Sequence, residues 1–153
     1  MHDTQTMAGV LSLILHDPSG RVMARREVHN LVTDAGRALV AELFAGKRIG
    51  ALRARLVVGT GATPPSADNT KLEGEVDGVD VTESHIRVAG PRVSLTERLP
   101  EREQVQALRE AGISLAIGTD PPVLYNRVVF DVVNKAPNMQ MTLTWNVDFG
   151  EGK

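Results

Sequence analysis

Met139-Gln-Met-Thr-Leu-Thr-Trp-Asn-Val-Asp-Phe149 alternates apolar and polar residues from end to end. Met139, Met141, Leu143, Trp145, Val147 and Phe149 share one side of an extended chain, and Gln140, Thr142, Thr144, Asn146 and Asp148 share the other. A period of two is the pattern of a β-strand with one buried and one wet face. Four of the five wet residues are uncharged amides or hydroxyls, which lose less than charges do when another protein docks over them.

Outward from this strand the chain keeps a β character. Asn134-Lys-Ala-Pro-Asn138 is a turn, and Val123–Val133 before it is a strand. The short connection predicts that the last two strands pair with each other and bury Trp145 and Phe149. Near the start, Asp17-Pro-Ser-Gly20 has the residues a type I turn favours, so residues 8–32 are expected to form a hairpin. Leu52–Val58, Ile86–Val88, Val93–Leu95 and Ile113–Ile117 are further short strands. The acidic stretch 71–81 has no clear assignment, and residues 1–7 are expected to fray.

One helix stands out. Thr33 is placed to cap it, Asp34 favours the positive end of its dipole, and Gly46 suits the position past its last turn. Ala35, Leu39, Val40, Leu43 and Phe44 recur at helical spacing between them. Residues 101–112 are ambiguous: their propensity and the terminal Gly112 favour a helix, yet they lie between β-rich stretches.

Length and composition narrow the classes. A chain of 153 residues with 42% hydrophobic and 24% charged residues fits one folded domain. Aromatics are only 3%, which leaves few rings for stacking bases, and a net charge of −2 gives no electrostatic reason for nucleic acid or an anionic membrane. The absence of cysteine removes disulfides, thiolate catalysis and thiolate metal sites, and fits folding in a reducing cytoplasm. Val10–Leu15 is too short for a membrane span and lacks the basic flank of a signal peptide.

No catalytic set emerges. Gly59-Thr-Gly61 follows a strand, but Pro64-Pro65 forbids the helix a dinucleotide turn needs, so residues 59–70 read as a structural loop. His2, His16, His29 and His85 are scattered, which predicts no metal and no cofactor. Glu97, Glu101, Glu103 and Glu110 interleave with Arg98, Arg102 and Arg109 in the pattern of a solvated charged face. Lys47, Arg48, Arg53 and Arg55 form a basic stretch that reads as a strand entry or an assembly contact. Arg127 alternates with Tyr125 in Tyr125-Asn-Arg-Val-Val-Phe130. Either it pairs Asp131 or lies over Tyr125 within the chain, or the two residues form a subunit interface.

Three stretches resemble a known family. Asn30-Leu-Val-Thr-Asp-Ala-Gly-Arg-Ala-Leu-Val40, Val57-Val-Gly-Thr-Gly-Ala-Thr-Pro-Pro-Ser-Ala-Asp-Asn-Thr-Lys-Leu72, and the set Glu110-Ala-Gly-Ile113, Leu124–Phe130 and Leu143–Phe149 are similar, in order and spacing, to segments of phage tail-fibre and baseplate-associated proteins. Such proteins also occur in tailocins and contractile injection systems. The resemblance covers most of residues 28–149 and departs from the family in the charged middle, residues 73–110. It implies a non-enzymatic virion part, a fibre-attachment, baseplate or collar protein, assembled in the bacterial cytoplasm. It also implies that residues 104–113 are a strand.

The expected architecture is an antiparallel β-sandwich or jelly-roll-like domain over residues 1–153, with seven or eight strands and one packed helix at about 33–45. The expected partners are other tail or baseplate proteins and further copies of the chain, as a trimer or a ring, with no nucleic acid and no membrane. Tyr125, Arg127, Thr60, Pro64 and Pro65 are the candidate interface residues. A small carbohydrate-binding module is the alternative, with Tyr125 as the only ring offered to a sugar.

Overall fold

Every second residue of the last strand is buried in the computed structural model, which describes residues 7–150: Met141, Leu143, Trp145 and Val147 all lie in the core. Chain order is β1 (Ala8–His16), β2 (Val22–His29), β3 (Leu31–Val32), α1 (Asp34–Phe44), β4 (Leu52–Gly59), β5 (Glu75–Asp80), β6 (Ile86–Ala89), β7 (Arg92–Arg98), β8 (Gln106–Ile117), β9 (Val123–Lys135) and β10 (Gln140–Asp148). These strands make two five-stranded sheets, β2-β1-β10-β7-β6 and β3-β9-β8-β4-β5, with antiparallel pairing throughout. The fold is a β-sandwich with one helix, and its inner faces share one apolar core. Residues 1–6, part of the stretch expected to fray, lie outside the described residues.

The turn and the helix follow local chemistry. The Asp17 carboxylate accepts from the backbone N–H groups of Ser19 and Arg21, closing the β1–β2 turn. Thr33 Oγ1 accepts from Gly36 N at 2.9 Å and donates to the Leu124 carbonyl at 2.6 Å, so the cap also ties α1 to β9. Helix and strand approach closely at Gly36, where a Cβ would lie 2.5 Å from the Tyr125 carbonyl oxygen. Gly46, with φ of +71°, ends the helix as its position predicts.

Three expectations are corrected, and one open reading is decided. The last strand does not pair with β9; it crosses to the other sheet and lies between β1 and β7. The partner β1 offers the same alternation, Leu11, Leu13 and Leu15, so both apolar rows face inward together. Phe149 is not buried with Trp145: it falls past the end of β10, where its N–H reaches the Pro91 carbonyl, and its side chain is 43% exposed. The ambiguity of residues 101–112 is decided for the strand that the resemblance implied, from Gln106 onward, because β8 has a strand on each side and buries Leu108, Ala111 and Ile113. The described residues form ten strands rather than seven or eight, since the two-residue β3 and the acidic edge strand β5 escape periodicity.

Asn30 stands where the chain passes from one sheet to the other. Its Oδ1 accepts from Trp145 Nε1 at 2.8 Å and from Asn126 Nδ2 at 2.9 Å, and Asn126 Oδ1 accepts from Ile113 N at 2.8 Å. One amide oxygen thus serves two buried donors from opposite sheets. Asn30→Ala is expected to cost roughly 2–3 kcal/mol in urea unfolding, because both donors lose their acceptor away from water. A cost below 1 kcal/mol would show that water replaces it.

Candidate functional site

Glu110 is on the outward face of β8, yet its side chain is fully buried, because residues 60–74 fold back over it. Its Oε2 accepts from Gly61 N at 2.9 Å and Gly74 N at 2.6 Å, and its Oε1 accepts from Glu73 N at 2.9 Å. Arg127 on β9 donates to the same Oε1 through Nε at 2.9 Å and to Asn69 Oδ1 through Nη1 at 3.2 Å. A loop without sheet partners has backbone groups that need acceptors, and this carboxylate supplies three. Gly61 is required by the approach: a Cβ there would lie 2.7 Å from Glu110 Oε2. Val57, Leu72 and Leu124 close the space beneath as a small separate apolar cluster.

Burial pushes the Glu110 carboxyl up, but the three N–H groups and Arg127 outweigh it and hold it below the ordinary glutamate value. Glu73 is also held low, chiefly by the Thr63 hydroxyl and N–H. Asp77, which accepts two bonds from Arg102, is drawn down to about 2. These acids are structural anchors held in the charged form, unlike an acid or base poised to exchange a proton.

The candidate interface residues divide. Thr60 and Pro64 are exposed on the anchored loop and Pro65 is half-buried there. Tyr125 and Arg127 are buried, 3% and 2% exposed, although Arg127 reaches the floor of a surface pocket lined by Asn69, Lys71 and Glu73. They do not share a face: Asn126 pairs Ile113 and Leu124 pairs Ser114, which leaves Tyr125 as a bulge. The bulge turns Tyr125 into the core, where its hydroxyl meets Met7 Sδ at 3.6 Å and burial pushes its pKa up to about 12. Arg127 pairs neither Asp131 nor Tyr125, its partner being Glu110. Glu110 in turn leaves the solvated face it was assigned to. Of the basic stretch, Arg48 is bound to Glu42 and Asp120 and Arg55 to Asp80. No group of three or more His, Asp or Glu residues is placed to hold a metal among the described residues. No helix among them is long and apolar enough to cross a membrane.

A second surface escaped the sequence reading. At the end of the sandwich beside α1, the core opens as an apolar cavity of about 290 Å³. Ala54, Leu95, Ile113 and Val147 line its depth, and Leu43, Leu52 and Phe149 line it while partly exposed. Phe44, next to Leu43, is 96% exposed, and Ile49 in the connection to β4 is 89% exposed. Phe44 was assigned to the apolar stripe of the helix, but α1 ends there and its ring points to solvent. An aromatic in the last turn without a packing partner was the only available signal.

No family model, curated protein or solved structure matches the chain.

Glu110→Leu is expected to cost roughly 3–5 kcal/mol, since it strands Arg127 and three backbone donors, whereas Arg127→Met leaves Glu110 its three N–H bonds and should cost less. Urea unfolding measures both, and equal losses would assign the anchoring to the ion pair alone. Because the folded pKa of Glu110 is lowered, its contribution is complete above the ordinary value of about 4.3 and is lost as the pH falls below it. Proteolytic cleavage within residues 60–74 is therefore expected to rise in acid for the native chain, and at neutral pH for Glu110→Gln.

Proposed function

We propose that this chain is a structural subunit of a phage tail or related contractile injection particle. It is a fibre-attachment, baseplate or collar protein that works by binding other particle proteins and turns nothing over. Folding in the bacterial cytoplasm and incorporation into the particle go with that role.

The observation that carries the proposal is where the resembling segments meet. Asn30 and Thr33 come from the first, Gly61 and Asn69 from the second, and Glu110, Arg127 and Trp145 from the third. In space they form two linked anchorages: Asn30 with Asn126 and Trp145 at the sheet crossing, and Glu110 with Gly61, Asn69 and Arg127 under the loop. Segments up to 115 residues apart thus supply parts of the same frame, which is what a shared fold requires of them. The anchored loop, with Thr60 and Pro64 outward, is a rigid projection that loses little entropy on docking, and the apolar end is a second contact surface.

The carbohydrate-binding alternative loses the ring first offered to it, since Tyr125 is buried, and is left with the exposed Phe44. Particles purified from the encoding strain are expected to contain the chain in a fixed ratio to the tube protein by quantitative mass spectrometry. Deleting its gene should give incomplete particles. Complete, active particles from the deletion strain would overturn the proposal, and micromolar binding on a glycan array would favour the sugar-binding alternative.

A further inference from the structure

The pocket that Arg127 reaches has a volume of about 390 Å³, and its walls come from the anchored loop. Asp68, Asn69, Lys71 and Glu73 line it, and Leu72 is the only apolar residue among its walls. Sites for small ligands run from about 300 Å³ upward, so the size suits a small group and the walls suit a polar one.

The guanidinium in the floor is not fully used. Nε donates to Glu110 and Nη1 donates to Asn69, but Nη2 is buried and donates to nothing. Nε is turned to Glu110, which lies outside the pocket, whereas Nη1 and Nη2 stand beside Asn69 and Glu73, which line it. The unused N–H groups therefore belong to the end of the side chain that faces the pocket. A charged donor kept from water without an acceptor costs more than an ordinary lost hydrogen bond, so its place under a pocket calls for an acceptor from outside.

The neighbours decide what carries that acceptor. Glu73 Oε1 stands 3.8 Å from Nη2, beyond hydrogen-bond length, while the same carboxylate is tied to the Thr63 N–H at 3.0 Å and hydroxyl at 2.6 Å. A donor and an acceptor thus lie side by side without meeting. A carboxamide joins them, because its carbonyl oxygen accepts from Nη2 while its N–H donates to Oε1, both from one planar group. A carboxylate would make the first bond but set a like charge against Glu73 and Asp68, and the charge of Arg127 is already met by Glu110. A sugar would find no ring to stack on, since none lines the pocket.

We infer that the pocket between Arg127 and Glu73 recognises an uncharged carboxamide, the peptide group or the asparagine or glutamine side chain of another protein. That the amide belongs to a protein rests on the particle reading above; the amide chemistry rests on the pocket alone. Nη2 is shielded while the pocket is empty, so entry requires one wall to shift, and the Glu73 side chain, 47% exposed, is the wall able to move.

Nuclear magnetic resonance of the isotope-labelled full chain tests this with propionamide, propionate, methyl glucoside and blocked triglycine as probes. Propionamide is expected to shift the Arg127 Nε–H and Asn69 side-chain signals saturably, with an affinity that added salt leaves unchanged. Propionate should bind about tenfold more weakly, because its charge meets Glu73. Blocked triglycine should bind more tightly than propionamide, as neighbouring peptide groups reach further along the walls. Glu73→Gln should bring propionate at least level with propionamide, and it keeps an oxygen for Thr63, so its melting should stay near that of the native chain. The inference is overturned by amides that leave these signals unmoved, by propionate binding the native chain more tightly than propionamide, or by methyl glucoside alone shifting them. Blocked triglycine no tighter than propionamide would overturn the protein source, and a crystal grown with propionamide in which only water meets Nη2 would overturn the site. Amide binding by a chain that proves dispensable for the particle would uphold the site and refute the particle role alone.

Discussion

A carboxylate with no water around it has to be surrounded by donors, and Glu110 obtains them by folding residues 60–74 over the sheet. Its two oxygens collect Gly61, Glu73 and Gly74 N–H groups together with Arg127. A buried ion pair is by itself a doubtful source of stability, because desolvation offsets its attraction. Three backbone bonds change that balance, since each would otherwise need its own acceptor. The outer face of this sheet is thereby covered by a polar loop with only Val57, Leu72 and Leu124 as its apolar floor. A loop held this way keeps one shape, and its exposed Thr60 and Pro64 keep one position.

The same economy recurs where the two sheets join. Asn30 links donors of both sheets through one oxygen. Along the open edge of β9, Arg26 of β2 donates to the Asp131 and Val132 carbonyls at 3.2 and 3.1 Å, which occupies backbone acceptors that another strand could otherwise pair with. At the far edge, β5 carries Glu75, Asp77 and Asp80, a charged guard of the usual kind. The end beside α1 is open: Leu43, Leu52 and Phe149 line its apolar cavity while partly exposed, and Phe44, next to Leu43 in the chain, lies in water.

Much of the fold was legible because it rests on local signals. The Asp17–Gly20 turn, the Thr33 cap and the Gly46 stop are chemistry within four residues, and each lies where its residues predict. The candidate site was far less legible. Arg127 stood out, but its partner is 17 positions away and had been assigned to a solvated face on the strength of alternating charges. Charge alternation cannot show that a loop 36 to 49 residues upstream will descend on one member of the row. Tyr125 misled for a related reason. A bulge shifts the period of two by one residue, so a face read by counting is inverted past it.

By itself the sequence determined that the chain is an antiparallel β protein with a single helix, because strand alternation and helix capping are written in neighbouring residues. Tertiary structure decided which strands pair. The short turn before the last strand favoured a hairpin, yet β10 joined β1, whose matching apolar row seals the core from the other side. It likewise decided residues 106–112, left open between helix and strand, in favour of strand, because flanking partners on both edges outweigh a propensity of a few tenths of a kcal/mol per residue. It also decided that Glu110 and Arg127 are buried and Phe44 is not, since burial depends on what lies above a residue, and that is set by segments far away in the chain.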